Sequence, residues 1–176
     1  MFRTVGALTV AYLIGSLDFA VIVARLKGED IYSMGSGNPG ASNALRSMGR
    51  AAGALVLLGD LVKGVVAAAI GSAVGGHEAV AVGAGLAAVV GHCYPVFHRF
   101  RGGKGAATLA GMLLWVTPWA GLGMVLVFAV IVAVGRIASV GSIAGAALAA
   151  PLAVGLDDVR GWALGWLLAA VVLVLY

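Results

Sequence analysis

Three polar stretches interrupt an otherwise apolar chain, and each gathers groups that hold anions. The first runs from Asp30 to Arg50 and contains Gly35-Ser-Gly-Asn-Pro-Gly-Ala-Ser-Asn43, then Arg46 and Gly49. Three glycines, two serines and two asparagines within nine residues predict an irregular turn with free backbone N–H groups, with Ser42 or Asn43 placed to cap the next helix. The second runs from Gly91 to Thr108, where Gly102, Gly103 and Gly105 surround Lys104 just ahead of an apolar helix starting near Ala106. A lysine and backbone N–H groups at a positive helix end suit a phosphate. This is not a nucleotide-binding P-loop, because Gly105 stands where that motif needs Ser or Thr. In the third stretch, Ser139 and Ser142 share a helix face beneath Arg136. Each stretch also has a plainer reading: ordinary turn chemistry, basic residues retained on the cytoplasmic side, and small serines that pack membrane helices.

Charge also lies inside the apolar runs. Asp60 and Lys63 stand at i, i+3 and share one helix face, where they can pair for structure or line a polar interior. Asp18, with Ser16, faces the same choice in the first run. His92 sits at a predicted helix end, where a lone histidine is more often structural than catalytic, and Phe97 and Phe100 read as interface anchors. His77 and Glu78 read as exposed hairpin residues.

The elements that position these groups follow from composition. Of 176 residues, 62% are hydrophobic and 10% charged, and the mean hydropathy is +1.08; a soluble domain carries about half apolar and a quarter charged residues. Apolar runs at Val5–Val23, Ala51–Val74, Ala79–Gly91 and Leu122–Val134, and after Ser139 and Gly161, approach the roughly 20 residues of a spanning helix. The 28 glycines permit close helix contacts. The expectation is a single all-α domain over 1–176, a polytopic membrane bundle of seven transmembrane helices. It requires Ala106–Gly135 to form two short helices that turn at Pro118, between Trp115 and Trp119. Basic residues fall in the first, third and fifth loops, which places those loops in the cytoplasm and the N-terminus outside. The first run is read as a retained helix, not a cleaved signal. The lone Cys93 leaves no partner for an internal disulfide and no multi-cysteine metal cluster.

Together the motifs resemble the bacterial acylphosphate:glycerol-3-phosphate acyltransferases, the PlsY-type membrane enzymes. The likeness is carried by Gly35 to Asn43 with Arg46 and Gly49, by Asp60-Leu-Val-Lys-Gly64, by Gly91 to Thr108, and by Arg136 with Ser139 and Ser142. It implies transfer of a fatty acyl group from acyl phosphate to the 1-hydroxyl of sn-glycerol 3-phosphate, giving lysophosphatidic acid and phosphate. It implies an active site on the cytoplasmic face of the bacterial plasma membrane, with no cofactor, metal or nucleotide and no nucleic-acid partner. By position, Ser36, Arg46, Lys104 and Ser142, with Ser139 beside them, would hold glycerol phosphate. His92 and the backbone of Gly102 and Gly103 would face the acyl phosphate and its developing oxyanion, while Asn38 and Asn43 shape the loop around the substrate. The chain departs from the family at Asp18, where proline is usual, and at Tyr32, where a basic residue is usual. It also reaches Tyr176 without the polar His/Asn/Arg-containing tail of family members, which leaves two readings open, a truncated chain or a reduced or altered activity.

Two other functions fit parts of the pattern. A small membrane transporter for a phosphorylated solute would also use interior charges and basic loops, and an inverted repeat would mark it. An acyltransferase with Ser36 or Ser142 as covalent nucleophile would need an adjacent base.

Overall fold

A computed structural model of the chain describes residues 2–75 and 78–175. His77, expected in an exposed hairpin, lies outside the described residues, and Glu78 beside it is exposed. The described residues form helices α1 (Phe2–Gly15), α2 (Phe19–Leu26), α3 (Ala41–Met48), α4 (Arg50–Gly75) and α5 (Glu78–Cys93). These are followed by α6 (Ala106–Val116), α7 (Pro118–Gly135), α8 (Ala138–Leu156) and α9 (Gly161–Leu175). The architecture is the all-helical membrane bundle that composition demanded. Among the described residues, five segments are long and apolar enough to cross a bilayer: Phe2–Leu26, Arg50–Gly75, Glu78–His98, Pro118–Gly135 and Ala138–Leu156. Two more apolar helices, α6 and α9, are shorter, at 11 and 15 residues.

Local chemistry explains the breaks. The first apolar run, expected as one helix, is two. Asp18 adopts an extended conformation and its carboxylate accepts from the N–H groups of Ala20 and Val21, which starts α2 afresh. The anticipated turn at Pro118 is present: proline, lacking an N–H, opens α7 at a position where that donor would have no helical partner. The Asp157 carboxylate also reaches this helix start, accepting from Trp119 N at 3.3 Å and Ala120 N at 2.9 Å. Ser42 and Asn43 do not cap α3. Its N-cap is Gly40, and both residues lie within the first turn, because Asn43 turns inward to bind the preceding loop.

Helices α4 and α6 cross in close contact. A Cβ at Gly64 would stand 2.9 Å from the Met112 nitrogen, and one at Gly111 would stand 2.9 Å from the Leu61 carbonyl carbon. Only glycine lets these backbones approach so nearly. Gly111→Val is expected to cost about 1–3 kcal/mol, the usual penalty of overpacking, and to lower the thermal midpoint of the detergent-solubilised protein. An unchanged midpoint would show that the crossing is not tight.

Candidate active site

The polar stretches meet. The loop before α3, the helix α3 itself, the end of α5, the start of α6 and the start of α8 surround a cavity of about 520 Å³. Ser36, Asn38, Asn43 and Arg46 line it from the first stretch, His92 and Lys104 from the second, and Ser139 and Ser142 from the third. Arg136 is absent from its walls: it is an exposed left-handed residue between α7 and α8, so the third stretch contributes its serines and not its arginine.

Each polar side chain is held by its own local structure. Asn43 is buried, donates to the Met34 carbonyl at 2.9 Å and accepts from Ser36 N at 3.1 Å. Its amide therefore staples the loop that presents Ser36, whereas Arg46, one helical turn further along α3, stays exposed at the cavity. Lys104 is exposed two residues before α6, and Gly105 between them takes a left-handed conformation with φ of 77° that starts the helix. The Ser142 hydroxyl donates to the Ala138 carbonyl at 2.9 Å, which leaves its oxygen lone pairs free to accept.

Gly102 and Gly103 are not among the residues that line the cavity. The Gly103 N–H already donates to the His92 carbonyl at 3.1 Å, so it is not the free oxyanion donor expected from the motif. The position still requires glycine, since a Cβ there would lie 2.8 Å from the Pro39 carbonyl oxygen and would collide with His92 Nε2.

Asp60 and Lys63 form the pair their spacing predicted, at 2.9 Å, with both side chains almost fully buried. The spacing did not reveal that His92 joins them. Lys63 Nζ lies 2.8 Å from His92 Nδ1 and donates to the Leu17 carbonyl at 2.9 Å. A buried cluster thus ties α4 to the break between α1 and α2 and to the end of α5. Tyr32 was marked only as a departure from the family pattern, yet it connects the first two polar stretches. Its hydroxyl donates to the Arg101 carbonyl at 2.6 Å, and the Arg101 guanidinium lies 4.7 Å from its ring centre. Burial, followed by the negative charge of Asp18, raises the Tyr32 phenol above its ordinary range, which keeps that donor protonated.

The cavity also has an apolar side that the motifs did not announce. Leu57 and Leu61 from α4 and Met124, Val125 and Phe128 from α7 line it, all from the middle portions of their helices. The loops and helix starts supply anion binders, and the membrane helices supply a hydrocarbon surface. Such a site accommodates an amphipathic molecule with a phosphate at one end.

Comparison with known proteins agrees with this geometry. The family model described as glycerol-3-phosphate acyltransferase matches residues 5–176. The chain belongs to the glycerol-3-phosphate acyltransferase family. It is 42% identical over 165 residues to a glycerol-3-phosphate acyltransferase of Thioalkalivibrio sulfidiphilus, covering 92% of this chain and 81% of the relative. It is 45% identical over 147 residues to one of Coxiella burnetii, covering 83% and 76%. Among solved structures it is similar to PlsY (YgiH), an integral membrane glycerol 3-phosphate acyltransferase. The glycerol 3-phosphate form of that protein superposes with a TM-score of 0.92 at 36% identity, covering 98% of this chain and 86% of the other. The lysophosphatidic acid form superposes with a TM-score of 0.89. The protein is therefore an integral membrane acyltransferase of this family.

Proposed function

We infer that the chain transfers a fatty acyl group from acyl phosphate to the 1-hydroxyl of glycerol 3-phosphate, releasing lysophosphatidic acid and inorganic phosphate. The observation that carries this reading is the joint lining of one cavity by Arg46, Lys104 and Ser142 on its polar side and by Leu57, Met124 and Phe128 on its apolar side. Both substrates bear phosphate, and the donor also bears a hydrocarbon chain. Arg46, Lys104, Ser36 and Ser142, with Ser139 alongside, hold the phosphate of glycerol 3-phosphate, while Asn38 and Asn43 keep the loop in shape. His92 faces the acyl phosphate.

The chemistry asks little of a base. The substrate hydroxyl oxygen attacks the acyl carbonyl carbon, the bond from that carbon to the bridging phosphate oxygen breaks, and phosphate departs with its electron pair. A phosphate oxygen takes the hydroxyl proton. Positioning the two substrates and offsetting their charge account for the acceleration. The same reading places seven spans in a bacterial plasma membrane, the N-terminus outside and the cavity mouth on the cytoplasmic face, where the basic loops lie. It calls for no metal, nucleotide or nucleic acid.

The test is phosphate release from palmitoyl phosphate by the purified protein, with and without glycerol 3-phosphate. Release that requires glycerol 3-phosphate and yields lysophosphatidic acid is the expected result. A folded protein that releases no phosphate under either condition would refute the assignment and favour a transporter of phosphorylated solutes.

A further inference from the structure

Lys63 has three neighbours and three protons. Its Nζ donates to the Leu17 carbonyl at 2.9 Å, pairs with Asp60 Oδ1 at 2.9 Å and lies 2.8 Å from His92 Nδ1. An ammonium group has three donors and no acceptor. The contacts with Leu17 and His92 are therefore donations, the contact with Asp60 is an ion pair, and Nδ1 of His92 is an acceptor. The competing partner for Nδ1 is Asp60 Oδ1, which is further away at 3.4 Å. With Nδ1 accepting, the ring proton must reside on Nε2. Nε2 lies against Gly103, and His92 lines the cavity.

We propose that Lys63 is a positioning residue that locks His92 in the tautomer protonated at Nε2, so that the imidazole offers the cavity a hydrogen-bond donor and no base. Asp60 Oδ1 stands 2.9 Å from the ammonium and the Leu17 carbonyl takes one of its protons, which together hold Lys63 aimed at the ring. The role of this donor rests on the acyltransferase reading. There it polarises an oxygen of the acyl phosphate as negative charge develops, and it leaves proton removal to the substrate. A serine nucleophile activated by His92 is incompatible with the same geometry, because a ring protonated at Nε2 and bound at Nδ1 has no lone pair free for a base.

The experiment is a two-bond proton–nitrogen correlation spectrum of the full chain carrying ¹⁵N-histidine in detergent micelles, without substrate. His92 is assigned by the loss of its signals in His92→Gln, since the chain has three histidines. The expected spectrum shows His92 with Nε2 protonated and Nδ1 bare. Lys63→Met is expected to move the ring toward the Nδ1-protonated form, which Asp60 then accepts. It should lower kcat on the order of a hundredfold, the usual cost of losing a transition-state donor, with KM for glycerol 3-phosphate nearly unchanged. The wild-type spectrum is decisive even if Lys63→Met does not fold: an Nδ1-protonated or doubly protonated His92 overturns the proposal. Because the spectrum is taken without substrate, its outcome is separate from that of the phosphate-release assay.

Discussion

Lys104→Ala is expected to lower kcat/KM for glycerol 3-phosphate roughly a hundredfold, as loss of one charged donor at an anion site does. Lys104 is exposed at the cavity, two residues before α6 begins at Ala106. Its charge adds to the positive end of that helix, and under the proposed function the two would act on the same anion. Lys104→Arg keeps the charge but replaces a compact ammonium with a planar fork of different reach, so it should recover only part of the activity. Steady-state kinetics with glycerol 3-phosphate varied against saturating acyl phosphate measure both. The alanine variant should show a raised KM. A wild-type KM and kcat in that variant would remove Lys104 from the site.

The second large effect is on stability. Asp60→Ala should destabilise the fold by about 3–5 kcal/mol, because it leaves a buried ammonium without its counter-charge. The Asp60 and Lys63 side chains are each only 2% exposed, so solvent cannot replace the lost partner. The double variant Asp60→Leu/Lys63→Met should regain most of the stability, since apolar side chains of similar size often substitute for a buried pair at little cost. It should not regain full activity, because His92 would lose its Nδ1 partner. Denaturation midpoints of the wild type, Asp60→Leu, Lys63→Met and the double variant form a double-mutant cycle that isolates the coupling. If Asp60→Ala alone is as stable as the wild type, the pair does not hold α4 against its neighbours.

The reading from sequence succeeded where the cause was local. The start of α6 near Ala106 and the turn at Pro118 follow from glycine and proline chemistry at those positions, and the Asp60–Lys63 pair follows from helical spacing. It failed where a side chain or an N–H was committed to a partner that the residue type does not name. The break between α1 and α2 sits inside an apolar run that looks continuous, and only the Asp18 carboxylate turned onto Ala20 and Val21 reveals it. Asn43 had the right residue type for a cap, but its amide is taken by Met34 and Ser36. Gly103 had the right motif for an oxyanion donor, but the His92 carbonyl takes its N–H.

Composition alone made this chain a helical membrane protein, because 62% hydrophobic residues with 10% charged ones cannot be hidden in water. The motifs alone singled out the loops that line one cavity, since glycine, serine and lysine at helix starts act through their own backbone and charge. How those loops converge depends on helix packing such as the close crossing of α4 and α6 at Gly64 and Gly111. So does the third partner of the buried pair: His92 lies 29 residues beyond Lys63. No local periodicity links residues that far apart, and only packing of α4 against α5 brings the ammonium to the ring and decides which of its nitrogens carries the proton.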